Sequence, residues 1–174
     1  MNYIKKLIII IFIFSISPHS LMADMPYFLD FKLILNQSNA GKKAQVFLKN
    51  KLEKGIKNLK SKEKVIQDEE KIIIKQKKII SSEEYKKKVT NLRAKVSSLQ
   101  KERKNLLETV SKQRVEARNE LLKNLNPIIE DYMLEKKIKM VVDKKSLLLA
   151  DENLNITKEI MTLLNNKLKS INLN

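Results

Sequence analysis

Residues 66–99 read IQDEEKIIIKQKKIISSEEYKKKVTNLRAKVSSL, and this stretch specifies the architecture. Apolar residues recur every seven positions from Leu52 and Leu59, before this stretch, through Ile66, Ile73 and Ile80 in its first half. In its second half, apolar residues alternate steps of four and three from Tyr85 onwards, which predicts left-handed coiled-coil packing. Between the two patterns, Ser81 and Glu84 form a capping-box signature that marks a new helix. The stretch therefore predicts two antiparallel helices joined by a turn near residues 80–84.

The helical pattern extends outward on both sides of this turn. Pro26 and Pro127 enclose 100 residues without proline. The predicted arms, about 39 and 45 residues long, would each span about 60 Å at the rise of an α-helix. The pattern is incomplete. In the first arm, the second half of the seam is occupied by Gly55, Lys62, Glu69 and Gln76. In the second arm, eight of ten core positions are apolar, and Arg103 and Gln113 are the exceptions.

Two interpretations of the polar half-seam stay open. The arms are loosely packed and leave part of their apolar stripe available to a partner, or they form a stable but imperfect coiled coil.

Both ends of the chain predict β-structure. Tyr27–Phe31 is a short aromatic-rich strand, and Lys32–Asn36 is long enough for one helical turn. Near the other end, Ile138–Asp143 and Leu147–Ala150 are typical of the two strands of a β-hairpin. Thr157 is then the expected N-cap of a final amphipathic helix.

The predicted fold class is α+β and mostly α. A long antiparallel coiled-coil hairpin, residues 42–126, projects like a tentacle from a small β-containing body. The body combines residues 24–41 with 127–174, about 65 residues in all, which is too few for a comfortable core. We therefore expect the chain to oligomerise through the strand-containing body.

Residues 1–23 are typical of a secretory signal peptide. Lys5 and Lys6 precede an apolar run over residues 7–16, and cleavage is expected after Ala23. About ten apolar residues fall short of the roughly 20 that cross a bilayer. The alternative is an uncleaved membrane anchor.

The residue inventory argues against catalysis. The sequence has no cysteine, and its only histidine, His19, would leave with the signal peptide. The mature chain then lacks Ser-His and Cys-His nucleophile pairs and imidazole metal ligands. We expect no enzyme activity, cofactor or metal.

Adjacent glutamates occur twice, at residues 69–70 and 83–84, and we interpret them as surface charges. In the favourable order, glutamates precede lysines by four residues on a helix. The expected pairs are Glu83–Lys87, Glu84–Lys88, Glu53–Lys57 and Glu108–Lys112.

The positive charge is concentrated in the arms. The whole chain carries +16, and residues 42–126 hold 25 basic and 11 acidic residues, a net +14. The rest of the mature chain is neutral. Seven lysines flank the predicted turn and are candidate contacts for a client or an anionic surface: Lys71, Lys75, Lys77, Lys78, Lys86, Lys87 and Lys88. They are equally consistent with a solvated helix face in a lysine-rich chain. No nucleic-acid-binding motif is present, and few aromatics are available for base stacking.

The mature chain resembles the Skp/OmpH family of periplasmic chaperones nearly end to end. The most specific match is residues 140–160, MVVDKKSLLLADENLNITKEI, which is similar to the family's strand, Asp-Lys, strand, Ala-Asp, Asp-Ile-Thr ending. A second match is Leu29-Asp30, followed by Ile34-Leu35, Ser38, Gly41-Lys42 and Ala44. The chain departs from the family at Tyr27 and Phe28, where aliphatic residues are usual, and at Asn155, where aspartate is usual.

This resemblance implies a homotrimer in which strands from three subunits form a central body and three helical hairpins surround a cavity. It also implies an ATP-independent holdase that encloses unfolded outer-membrane proteins crossing the periplasm. Contact with anionic lipid or lipopolysaccharide is left open. The alternatives are a membrane-anchored coiled-coil stalk and a cationic protein that binds the envelope or nucleic acid.

Overall fold

The structure is a computed structural model that describes residues 25–173. Its elements, in chain order, are strand β1 (Tyr27–Leu29), helices α1 (Phe31–Gln37), α2 (Asn39–Gln76) and α3 (Ser82–Lys136), strand β2 (Val141–Asp143) and helix α4 (Thr157–Lys167). Single 3₁₀ turns at Lys144–Ser146 and Glu152–Leu154 lie between β2 and α4. The predicted signal peptide, residues 1–23, lies outside the described residues.

Helices α2 and α3 form the predicted antiparallel hairpin of a mostly α, α+β fold. They contain 38 and 55 residues, so α3 is about 80 Å long at 1.5 Å per residue. The cap predicted at the turn is present, because the backbone N–H of Glu84 donates to Ser81 Oγ at 3.2 Å. The first arm ends at Gln76 rather than Ile80, because the chain tightens into turns over residues 77–80 before Ser81 caps α3. Helix α3 continues through Pro127.

The body is held together by β1, which is hydrogen-bonded to chain segments on both sides. β1 pairs with β2 in parallel, in the register Tyr27 to Val141, Phe28 to Val142 and Leu29 to Asp143. On the other side, the N–H of Ile156 donates to the carbonyl of Phe28 at 2.9 Å. The short N-terminal strand is therefore the centre of the small body.

The predicted β-hairpin over residues 138–150 is wrong. β2 takes β1 as its partner, and the Asp143 carboxylate accepts from the N–H of Lys145, which turns the chain into a 3₁₀ turn. Leu147–Ala150 form no strand with the described residues. Sequence pattern alone could not distinguish two strands that pair with each other from two that need other partners.

Two helix starts also differ from expectation. Phe31 belongs to α1 and not to the strand, because Asp30 Oδ1 accepts from the N–H of Leu33 at 2.7 Å and caps the helix. Thr157 is the first residue of α4 rather than its N-cap. Its hydroxyl instead accepts from the N–H of Asp30 at 2.8 Å, which links α4 to the end of β1.

Two groups of buried apolar residues support this arrangement. We call the first the body cluster, and it consists of Leu29, Ile34, Ala40, Leu121, Leu125, Ile128, Ile156, Ile160 and Leu164. We call the second the arm-base cluster, and it consists of Ala44, Leu48, Val110, Ala117 and Leu173. The body cluster packs residues 29–40 and 156–164 against residues 121–128 of α3. The hairpin therefore projects from a packed base.

Gly41 permits the close approach of α1 to α2. A Cβ atom at this position would lie 2.0 Å from the backbone oxygen of Leu35, which cannot move without shifting α1. We expect Gly41→Ala to lower the thermal midpoint by about 5 °C or more, despite the higher helix propensity of alanine. The exposed neighbour offers a control, since Lys42→Ala should leave the midpoint unchanged. Equal midpoints for the two variants in a circular dichroism melt would contradict the tight contact.

Candidate functional site

The buried part of the seam between the arms consists of few residues. Leu59 and Ile73 of α2 and Leu99 and Val110 of α3 are buried. At Gly55 the helices approach closely, because a Cβ there would lie 2.4 Å from a methyl group of Leu106. Half-buried Leu52, Ile66, Leu92 and Leu106 lie between these positions, so apolar packing continues along the arms.

The polar half of the seam is filled by contacts between the two arms. The cross-arm pairs and their separations are Lys62 with Glu102 at 2.6 Å, Glu69 with Lys95 at 2.6 Å, Gln76 with Lys88 at 2.7 Å, Lys51 with Gln113 at 2.9 Å and Glu63 with Arg103 at 3.5 Å. Positions that looked like gaps in an apolar pattern therefore carry complementary polar groups. We call these contacts the polar ladder.

The ion pairs of several glutamates differ from those expected from the sequence. Glu69 pairs across the arms. Glu53 pairs with Lys49 rather than Lys57, and Glu108 pairs with Lys104 rather than Lys112. Among residues 25–173, no group of three His, Cys, Asp or Glu side chains could hold a metal.

Large apolar side chains lie on the outer surface of the same arms. Ile79 is 81% exposed and Val65 is 65% exposed. The other exposed members on the arms are Val46, Phe47, Ile56, Ile72, Ile74, Val96, Leu107 and Val115. The hairpin thus keeps an apolar seam between its helices, has partly exposed charge pairs beside that seam, and carries further large apolar groups in solvent.

The seven candidate lysines lie at the tip of the hairpin, on the last two turns of α2, the connecting turn and the beginning of α3. Two of them have polar partners: Lys71 lies 3.3 Å from Asp68, and Lys88 donates to Gln76 of the polar ladder. The others are exposed, and they are Lys75, Lys77, Lys78, Lys86 and Lys87. The tip therefore presents a dense positive surface next to exposed Ile74 and Ile79.

Two clefts along the hairpin were not anticipated from the sequence. The larger, about 650 Å³, lies at the arm base, with Leu48, Leu52 and Leu121 in its lining and Arg114 and Arg118 among its polar residues. The smaller, about 360 Å³, lies midway along the arms and is lined in part by Val65, Ile66 and Leu99. The only sequence signal for the larger cleft is the four-residue spacing of the two arginines, which places them on one face of α3.

The body also exposes apolar residues, in the two segments that were expected to form a β-hairpin. Leu148 and Leu149 are essentially fully exposed, and Met140 is more than half exposed. The flanking chain is anchored. The pKa of Glu152 is lowered by hydrogen bonds from Asn155 and then Lys144, and Lys144 Nζ lies 5.7 Å from the centre of the Phe28 ring. An anchored loop therefore holds two leucines in solvent.

No helix within residues 25–173 combines the length and apolar character needed to span a bilayer.

Comparisons with known proteins agree with this architecture. The sequence model of a family described as outer membrane protein (OmpH-like) matches residues 27–164. A crystal structure of a candidate outer membrane chaperone (OmpH-like) from Caulobacter crescentus CB15 superposes with a TM-score of 0.79 at 19% sequence identity. That alignment covers 85% of this chain and 89% of the Caulobacter chain. A search of curated proteins found no match to the sequence.

The polar ladder should contribute measurably to arm closure. Each pair is partly exposed and worth up to about 1 kcal/mol, so one reversal such as Glu69→Lys should speed amide exchange locally by several-fold. The double variant Glu69→Lys/Lys95→Glu should restore protection, because the pair is re-formed with opposite polarity. Uniformly strong protection in the single variant would show that the ladder is dispensable.

Proposed function

Because the chain belongs to the OmpH-like outer membrane protein family, we propose that it is a periplasmic chaperone that holds unfolded outer-membrane proteins without ATP. In this proposal the client is enclosed in a cavity between the helical arms of a homotrimer and is protected from aggregation. The role requires binding rather than catalysis. The predicted signal peptide, residues 1–23, would direct the chain to the periplasm and be cleaved.

The observation that carries this proposal is the display of large apolar side chains on the solvent-facing surface of the two arms. An unfolded client exposes apolar segments in many arrangements, so a holdase needs many weak apolar contacts rather than one shaped pocket. Exposed residues such as Val65, Ile72 and Ile79 offer such contacts along most of the hairpin. The clefts beside Leu48 and Leu99 add concave apolar surface at the base of the arms and midway along them.

Assembly through the body supports the same proposal. A two-stranded sheet of three-residue strands is marginal on its own, and Leu148 and Leu149 have no apolar cover within the described chain. We infer that residues 147–150 pair with the body of a neighbouring subunit, completing the strands that the sequence pattern indicated. A homotrimer formed in this way would direct three hairpins around one cavity.

The charge distribution fits an open cavity. The arms carry nearly all of the net charge of the mature chain, with +14 over residues 42–126. Three such arms would repel each other most at low ionic strength, because the screening length grows from about 10 Å at 0.1 M salt to about 30 Å at 0.01 M. Repulsion would keep the cavity accessible while the neutral body assembles.

A second role, contact with anionic lipid or lipopolysaccharide, is favoured by one specific feature. Lys75, Lys77, Lys78, Lys86 and Lys87 are exposed together at the tip beside apolar Ile74 and Ile79, and a combination of cations and apolar groups suits an anionic amphiphile. We propose this contact as an addition to the chaperone role.

Replacing exposed apolar arm residues should weaken client holding. We expect Val65→Ser/Ile72→Ser/Ile74→Ser to raise the concentration needed to prevent aggregation of an unfolded barrel protein by about threefold or more, since apolar area is lost. The matched variant Lys71→Gln/Lys75→Gln/Lys77→Gln should change mainly the salt dependence. Light scattering at two salt concentrations measures both. Loss of holding only in the lysine variant would favour a purely electrostatic binder.

Charging the exposed loop of the body should prevent assembly. We expect Leu148→Asp/Leu149→Asp to reduce the mass in solution from three subunits to one, because an aspartate pair would be buried at the proposed contact. Val65→Asp, on an exposed arm site, is the control and should leave the mass unchanged. Mass measured by light scattering coupled to size-exclusion chromatography distinguishes the cases. An unchanged trimer in the double variant would place the interface elsewhere.

A further inference from the structure

Residues 168–173, which we call the tail, follow α4 and lie beyond residue 164, where the family match ends. Leu168 leaves the helix in an extended conformation, with φ −125° and ψ 110°. Ile171 packs against both the body cluster and the arm-base cluster, and Leu173 is a 7% exposed member of the arm-base cluster. The tail therefore lies against the seam where the two arms leave the body.

The arm base receives the tail through small side chains and one amide. Ala44 of α2 and Ala117 of α3 leave space at the seam for the Leu173 side chain. Gln113 Nε2 donates to the carbonyl oxygen of Leu173 at 3.4 Å, while Gln113 Oε1 accepts from Lys51 Nζ at 2.9 Å. A backbone carbonyl is common to every residue, so this hydrogen bond holds an extended chain without reading its sequence.

Apolar and polar residues alternate at the end of the tail, which suits binding at the arm base. Ile171 and Leu173 contact the protein, whereas Asn172 between them is exposed. Burial thus alternates over residues 171–173, as it does along an extended chain with one face on a protein and the other in water. Strands of outer-membrane barrels have the same alternation of apolar and polar residues.

We propose that the arm-base cluster together with Gln113 is a binding site for extended client segments with apolar residues at alternate positions, and that the tail occupies this site when no client is bound. The inference rests on the proposed chaperone function. The tail is a tethered occupant that places only two apolar side chains on the arms. A client can bind only the molecules in which the tail has left the site, so the apparent affinity equals the intrinsic affinity multiplied by the fraction of molecules whose site is free.

A pair of tail variants tests this occupancy. Leu173→Asp removes the buried contact, and Asn172→Asp introduces the same charge at an exposed neighbouring position. The probe is a fluorescent peptide with the sequence of residues 166–174, added to the full-length protein. We expect Leu173→Asp to bind the probe about tenfold more tightly than the wild type, and Asn172→Asp to bind it like the wild type. Equal affinities for the two variants would overturn the proposal.

A substitution in the arm-base cluster tests whether the peptide probe binds there. Ala117→Leu fills the space between the arms, so adding it to Leu173→Asp should abolish the tighter binding. Circular dichroism melts of these variants verify that the arms remain folded. Tight binding that persists in the Ala117→Leu/Leu173→Asp double variant would assign the peptide to another surface and overturn the proposed site.

Hydrogen exchange on the unmodified protein provides a measurement that does not depend on variants. Saturating amounts of an unfolded barrel protein should speed exchange at the amides of residues 171–173, because the client displaces the tail. Slow exchange that is unchanged by a client which is nevertheless kept soluble would show that the tail is only a brace, leaving the chaperone function intact. Failure to keep the client soluble would instead refute the proposed function itself.

Discussion

The parallel pairing of Tyr27–Leu29 with Val141–Asp143 is the constraint that positions every other element. Parallel strands cannot be joined by a tight turn and need a crossover connection, usually helical. In this chain the crossover is extended into two long arms. Because β1 also holds Ile156 and the start of α4, the beginning and the end of the described chain are packed against the base of those arms. A small body can thus support a projection much longer than itself.

The arms distribute polar and apolar groups in a way that links stability to the proposed function. Partly exposed charge pairs contribute little individually, so closure of the hairpin depends on spaced buried residues such as Leu59, Leu99 and Val110 together with the polar ladder. Further apolar side chains on the arms stay exposed beside these charge pairs. They are the surface that the proposed function assigns to an unfolded chain.

The net charge also differs between the body and the arms. The body, residues 24–41 and 127–174, has no net charge and exposes Leu148 and Leu149, which suits the proposed association between copies. The arms are strongly basic, which opposes collapse of neighbouring hairpins onto each other. The tail connects the two regions, since Ile171 contacts both clusters. A client segment that takes the place of the tail would therefore be held at the point where the arms meet the assembly body.

The helical hairpin, its turn at Ser81, the short N-terminal strand and the basic tip could all be predicted from the sequence, because they follow from local periodicity, capping and composition. The sequence also indicated that Lys62, Glu69 and Gln76 break the apolar seam. It took the three-dimensional arrangement to reveal that these residues pair across the arms, that β2 joins β1 rather than residues 147–150, and that the tail seats on Ala44 and Ala117. The physical reason is that a pattern fixes which face of an element is polar or apolar, whereas the partner of that face depends on contacts between residues far apart in the chain.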